Sequence, residues 1–238
     1  MDNPTHYRSI IGALQYLTMS RPDIAFSVNK LSQYMQAPTS EHWGACKRLL
    51  RYLAGSIGHG LVFKSTNRLD IQGYTDANWA GCFDDRKSTS EYCIFFGGNL
   101  ISWCSKKQTI VARSSTESEY RALALATAEI IWIQSLLTEI CIHTPSPPII
   151  WCGNLGAVSL ASNPVFHART KHIEVDLHFV RDGVIAKQLY IRYVETENQI
   201  VDLFTKPLPA MPFQFLHNKL TSGLHQCHLR GAIGIENG

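Results

Sequence analysis

The most apolar stretch of the chain, Ala122–Ile142, has the length to cross a bilayer, yet Glu129, Gln134 and Glu139 interrupt it. Charges in mid-span are expensive in lipid, so the stretch reads as a long buried helix of a soluble domain. Just upstream, Ser114-Ser115-Thr116-Glu117 reads as a capping box, and Ala122, Leu125, Ala126, Ile133, Leu137 and Ile140 form one apolar stripe. At 1.5 Å per residue such a helix runs roughly 35 Å, the breadth of a whole domain. It needs an equally broad apolar partner.

The partner lies on either side of it. From Leu61 the apolar residues take up a period of two, and Leu69–Trp79, Ser90–Phe96 and Leu100–Cys104 read as strands. Gly97-Gly98-Asn99 joins the last two as a hairpin, and the polar stretch Gly81–Lys87 joins the first two. After the long helix, Thr144-Pro145-Ser146-Pro147-Pro148 marks a stop. A short apolar strand Ile149–Cys152, helices over Leu155–Ala161 and Thr170–Ala186, and a strand Leu189–Val194 follow. Thr196-Glu197-Asn198-Gln199 caps a last short helix that ends at Lys206-Pro207, and the tail after Pro209 is expected to be the least structured part. The order βββ-α-β-α-α-β-α predicts an α/β fold, a mixed sheet with helices on its faces. Residues 6–58 read instead as three helices, broken at Ser20-Arg21-Pro22-Asp23 and before Ala37-Pro38.

A chain of 238 residues with 45% hydrophobic side chains carries ample material for a core, which excludes a disordered or collagen-like polymer. The net charge of +3 permits a nucleic-acid partner without demanding one. Seven cysteines without a CxxC pair fit a reducing compartment. The N-terminus Met1-Asp2-Asn3-Pro4-Thr5-His6 has no apolar core, so no secretory signal and no membrane span is expected, and the place is intracellular, cytoplasm or nucleus.

Phosphodiester hydrolysis with two metals needs several carboxylates converging on one point, to hold two ions roughly 4 Å apart. Such acids come from separate elements, at strand ends and in first helical turns. Asp76 sits inside the apolar strand Tyr74-Thr75-Asp76-Ala77-Asn78-Trp79, where an acid pairs, binds a cation, or is a hydrogen-bonded acid of an edge strand. Glu117 and Glu119 open the long helix about 200° apart. Glu119 falls on the stripe facing the sheet, and Glu117 takes the capping position. Asp202 stands among Ile200, Val201, Leu203 and Phe204, where the competing reading is a solvated helix face.

Six blocks occur in order along the chain. They are Tyr74-Thr75-Asp76-Ala77-Asn78-Trp79-Ala80-Gly81, Asp85-Arg86-Lys87-Ser88-Thr89-Ser90, Ile101-Ser102-Trp103-Cys104-Ser105-Lys106-Lys107-Gln108, Ser115-Thr116-Glu117-Ser118-Glu119-Tyr120, Asn163-Pro164-Val165-Phe166-His167-Ala168-Arg169-Thr170-Lys171-His172-Ile173, and Gln199-Ile200-Val201-Asp202-Leu203-Phe204-Thr205-Lys206-Pro207. Together they resemble the ribonuclease H domain of copia-type retrotransposon polyproteins. The segment from Tyr7-Arg8-Ser9-Ile10-Ile11-Gly12 through Leu49-Leu50-Arg51-Tyr52-Leu53 resembles the end of that family's reverse transcriptase. The resemblance implies a ribonuclease H-like five-stranded sheet over residues 61–208, a helical reverse-transcriptase remnant over 1–60 and a tail over 209–238. It also implies cleavage of the RNA strand of an RNA/DNA hybrid, with Mg²⁺ or Mn²⁺ held by four acids and no small-molecule cofactor. The partners would be the hybrid and the polyprotein's reverse transcriptase and integrase.

Three acids carry over, Asp76, Glu119 and Asp202. The fourth belongs where the family reads Cys-Asp-Asn and this chain reads Cys152-Gly153-Asn154. Gly153 offers no ligand, and losing one well-placed electrostatic group removes ~3–4 kcal/mol of transition-state stabilisation, a factor of about 100 to 1000 in rate. Neither Glu174 nor Asp176 is placed at the gap by its spacing. A folded domain with little or no nuclease activity is expected. Asn78 and Glu91 are milder departures from the family pattern, read as relaxed constraint without a catalytic role.

Other signals compete. Arg86, Lys87, Lys106, Lys107, Arg113, Arg169, Lys171 and Lys206 lie in loops or helix starts and would grip phosphates of the hybrid; ordinary solubilising residues are the alternative. Phe83-Asp84-Asp85 mimics a polymerase element without the parts a polymerase needs. His167, His172 and His178 fit no compact zinc module, and Trp79, Trp103 and Trp151 read as core. Arg48-Leu49-Leu50-Arg51 matches the RxLR string of secreted oomycete effectors, on a basic helix face with no signal sequence upstream. The rivals to an impaired nuclease are therefore a non-catalytic nucleic-acid-binding remnant and a secreted RxLR-type effector or interaction protein.

Overall fold

The computed structural model describes residues 3–162, 173–206 and 208–222. Helices α1 (Pro4–Leu17), α2 (Ala25–Ser32) and α3 (Ser40–Ala54) come first, then strands β1 (Ile71–Asn78), β2 (Thr89–Phe96) and β3 (Asn99–Lys107). Helix α4 (Ser115–Glu139), strand β4 (Ile149–Cys152), helices α5 (Leu155–Ser162) and α6 (Glu174–Ile185) and strand β5 (Tyr190–Tyr193) follow, with α7 (Asp202–Thr205) and α8 (Ala210–Ser222) last. The sheet order is β3-β2-β1-β4-β5; β1–β2 and β2–β3 pair antiparallel, β1–β4 and β4–β5 parallel. This is the ribonuclease H-like mixed sheet the sequence implies. It puts β1 at the centre, so Asp76 is not an edge-strand acid.

The β2–β3 hairpin turns on Gly97 and Gly98, at φ +56° and +83°, a left-handed pair that glycine adopts without strain. A side chain at Gly97 would also meet the Arg68 carbonyl at 2.5 Å.

At 25 residues α4 spans about 38 Å and is the core helix of one sheet face. Ser114 Oγ accepts the Glu117 N–H at 3.1 Å, and the Glu117 carboxylate accepts the Arg113 N–H at 2.9 Å, one residue further upstream than a standard capping box reaches. Leu123, Ala126, Ile130, Ile133 and Leu137 pack on Ile71, Ile94 and Ile150 of the sheet. Two residues assigned to that stripe do not belong to it. Leu125 is two positions from Leu123, hence about 200° around the helix, and Ile140 lies past the last turn; both are partly or largely exposed. By length and composition α4 could cross a membrane, and in this fold its apolar face lies on the sheet.

The other face carries Cys93, Phe95 and Leu100, covered by Ile200, Val201, Leu203, Phe204, Leu216 and Leu220 from α7 and α8 and the residues just before α7. Here the structure corrects the expected irregular tail. Phe213, Leu216 and Leu220, at spacings of three and four, give α8 a helical apolar face, and Leu220 is fully buried. Thr196 likewise caps no helix: Thr196–Asn198 is a single 3-10 turn without a side-chain cap, and Gln199 is extended.

Helices α1–α3 enclose Tyr7, Ile11, Ile24, Val28 and Cys46. They dock on the sheet edge, where Asn29 Nδ2 donates to the Ser105 carbonyl at 2.7 Å and the Trp103 indole to the Thr18 carbonyl at 3.2 Å. Asp23, its side chain wholly buried, accepts from Arg21 at 2.7 and 2.9 Å and from the Tyr52 hydroxyl at 2.6 Å, with His217 of α8 at 3.8 Å. One ionic network thus joins the first helices to the last.

Candidate active site

The strand register builds the site. Asp76, near the end of β1, faces Glu91 of β2 across the antiparallel pair. On the parallel side Thr75 pairs with Cys152, so one further step along both strands sets Gly153 beside Asp76. Glu119 comes from the start of α4, and Asp202 opens α7. All three candidate acids are at least nine-tenths buried.

They converge. Lys206 Nζ bridges Asp76 and Asp202, and Glu119 and Asp202 both act electrostatically on Asp76. Burial pushes Glu119 far above the usual carboxylate range, and the Asp76 charge adds to it. Asp202 is raised by burial, relieved in part by Lys206 and raised again by Asp76. Burial raises Asp76 too, but the Glu119 hydrogen bond, the Lys206 ammonium and Asp202 outweigh it and keep Asp76 below its ordinary value. Among the described residues no three His, Cys, Asp or Glu side chains are gathered as a ready metal cage. Lys206 Nζ lies 2.7 Å from Asp202 Oδ1 and 3.3 Å from Asp76 Oδ2.

The donor set still suits a hard divalent cation. It is all carboxylate oxygen, and Glu119 Oε2 and Asp202 Oδ2 are buried with no donor of their own. At Gly153 an added Cβ would have only Gln199 Nε2 nearby, at 3.4 Å. That amide donates instead to the Thr75 carbonyl at 2.9 Å. Asp176 faces Arg121 and Glu174 is exposed, so neither occupies the Gly153 corner.

The basic residues divide. Lys107 pairs with Asp85 at 3.0 Å and Lys87 with the same acid at 3.5 Å, while Arg86, Lys106 and Arg113 are exposed. Lys206, assigned to phosphate contact from the sequence, stands in the acid cluster. Arg169 and Lys171 lie outside the described residues, as do His167 and His172. In the polymerase-like element Asp84 accepts from the Tyr34 hydroxyl at 2.6 Å and Asp85 serves the two lysines, so both acids tie down the β1–β2 loop. Trp79 is half-exposed rather than core, its indole held by the Ala112 carbonyl at 3.1 Å.

Sequence reasoning took Glu91 only as a sign of relaxed constraint and gave Gln199 no part in the site. Glu91 is fully buried, with Ser105 Oγ donating to one oxygen at 3.0 Å and Thr205 Oγ1 to the other at 2.9 Å. An acid inside Ser90-Glu91-Tyr92-Cys93-Ile94 carries the same signal that singled out Asp76. Gln199 gave no signal beyond its place in a presumed cap.

Comparison with known proteins gives the kinship. The Retrovirus-related Pol polyprotein from transposon RE2 of Arabidopsis thaliana is 50% identical over 220 residues, 92% of this chain. The chain belongs to the transposon Pol polyproteins of the copia type. It spans 15% of the length of the RE2 polyprotein, and within it residues of the central sheet form a ribonuclease H-like domain. The Secreted RxLR effector protein 161 of Plasmopara viticola is 47% identical over 128 residues, 53% of this chain and 90% of that protein. Among solved structures, LC11-RNase H1 from a compost metagenome aligns with a TM-score of 0.42 at 13% identity, over 64% of this chain and 96% of that one. No family model matches the chain.

Proposed function

We propose that this domain descends from a nuclease that cleaves the RNA strand of an RNA/DNA hybrid by two-metal hydrolysis, and that Gly153 has impaired it. The observation that supports the reading is buried Asp76 acting on both buried Glu119 and buried Asp202, with a glycine beside it on the neighbouring strand. Mg²⁺ or Mn²⁺, when bound, activates water and stabilises the leaving oxygen. Asp76, Asp202 and Glu119 would hold the ion, Glu119 as its carboxylate. With three acids in place of four, both ion affinity and charge stabilisation fall.

In the polyprotein this activity removes template RNA after first-strand synthesis, with the hybrid as substrate and the reverse transcriptase and integrase as partners. Exposed Arg86, Lys106 and Arg113 supply phosphate contacts. The effector reading has the Plasmopara relative in its favour, but Arg48-Leu49-Leu50-Arg51 lies inside α3 with Leu49 buried in the helical core, unsuited to recognition as an extended string.

The test is cleavage of a labelled RNA/DNA hybrid in Mg²⁺ and in Mn²⁺ by the wild type, Gly153→Asp and the double variant Gly153→Asp, Asp76→Asn. Gly153→Asp should raise cleavage on the order of 100-fold, and Asp76→Asn should abolish the gain. No gain in Gly153→Asp means the acids are misassigned. Hybrid binding in EDTA without cleavage by any variant selects the binding remnant.

A further inference from the structure

Two buried carboxylates held close together repel each other unless a cation stands between them. The chain supplies that cation itself. Lys206 lies four residues after Asp202, so its side chain returns along α7 toward the helix start. Its ammonium joins acids from two unrelated elements, Asp202 of α7 and Asp76 of the central strand, at 2.7 and 3.3 Å. These are the oxygens a metal ion would need. On the far sides of the same cluster, Asp202 Oδ2 and Glu119 Oε2 remain without donors.

We propose that Lys206 is a resident counter-ion that competes with divalent metal for this cluster, and that it must swing out before an ion can enter. The inference rests on the reading of the three acids as a metal site. The Lys206 side chain is 46% exposed, so its flexible stem has open water to withdraw into. Gly153 tilts the competition. Coulomb attraction scales with the charge of the cation, so the missing carboxylate takes twice as much from a divalent ion as from an ammonium. A lysine that a four-acid site would surrender readily is held by the three-acid site.

Mn²⁺ titration calorimetry on the full chain, without nucleic acid, tests this. Lys206→Met should tighten Mn²⁺ binding on the order of 10- to 100-fold, the size of effect that neighbours of metal ligands exert. Lys206→Arg, which keeps the charge, should stay near the wild type, and thermal melts establish that each variant is folded. On the unaltered protein, acetylation of Lys206 followed by peptide mass spectrometry should increase when Mn²⁺ is added, because the displaced ammonium faces water. Binding no tighter in folded Lys206→Met, or Lys206 no more reactive with Mn²⁺, overturns the proposal. Asp76→Asn separates the two ideas: if it abolishes binding while Lys206→Met changes nothing, the metal site stands and the competition falls. If Asp76→Asn leaves Mn²⁺ binding intact, the metal site itself falls.

Discussion

Asp76 and Glu91 sit directly opposite each other on β1 and β2, yet the fold holds their carboxyls in opposite states. Asp76 is kept below its ordinary value by Glu119, Lys206 and Asp202 acting against burial. Glu91 is driven well above, first by burial and then by the charges of Asp76 and Asp202, which its hydrogen bonds from Thr205 and Ser105 do not offset. Asp76 is held toward its ionised form. Glu91 is a neutral strut linking β2, β3 and α7.

A strut that is neutral in the fold and ionised in the unfolded chain weakens the protein as pH rises. Its folded pKa lies above the unfolded value, so its contribution is complete below about pH 4.3 and is lost at up to about 1.4 kcal/mol per pH unit above that. Glu91→Gln keeps the shape and removes the ionisation. Urea midpoints should match the wild type near about pH 4 and exceed it increasingly toward about pH 8. Parallel pH profiles for the two proteins would contradict the assignment.

Gly153→Asp should behave differently with and without metal. The corner is open, since only Gln199 Nε2 comes within 3.4 Å of an added Cβ, so sterics do not oppose the change. A fourth carboxyl still adds repulsion. In EDTA the thermal midpoint should therefore drop below that of the wild type. Mg²⁺ at a hundredfold excess over Kd should stabilise the variant by about 2.7 kcal/mol over its own metal-free state, so its midpoint should recover and pass that of the wild type. An identical response of both proteins to Mg²⁺ would show that position 153 does not face the ion.

How far the sequence reveals this molecule is visible in single residues. Ile149–Cys152 could be read because a fully apolar run after a proline cluster has one natural place, inside a sheet. Glu119 could be told from Glu117 because two helical steps turn nearly half a circle. Lys206 was read as a phosphate contact; its ion pair with Asp202 was legible in their four-residue spacing, while that with Asp76 was not, because Asp76 lies on a distant strand. Helix α8 was missed because the stretch after Pro209 was read as a tail, while Phe213, Leu216 and Leu220 kept helical time in it. Gln199 lay beyond reach, since its partner is the Thr75 carbonyl 124 residues away.

The Asp23 network should dominate acid sensitivity. Burial raises Asp23, but His217, Arg21 and Tyr52 together hold it well below its usual value. A depressed acid stabilises the fold above its unfolded pKa, and that stability is lost as pH falls below about 4. Asp23→Asn strands the buried Arg21 and should destabilise by about 3–5 kcal/mol, whereas Tyr52→Phe should remove about 1 kcal/mol. Both follow from denaturant unfolding, and equal losses would mean that the ion pair is not the centre of the network. Because His217 belongs to α8, removing residues after Pro209 should also shift the acid transition.

Metal affinity should rise with pH, since Glu119 must shed its proton to become a ligand. Burial and the Asp76 charge hold that proton on Glu119, so near neutral pH each ion bound releases it to solvent. Mn²⁺ affinity should climb by up to tenfold per pH unit between about pH 6 and 8, and calorimetry in buffers of different ionisation enthalpy should count about one proton released per ion. Glu119→Gln should bind more weakly and with a flatter profile. A wild-type profile already flat across that range would place the exchangeable proton elsewhere and remove Glu119 from the site.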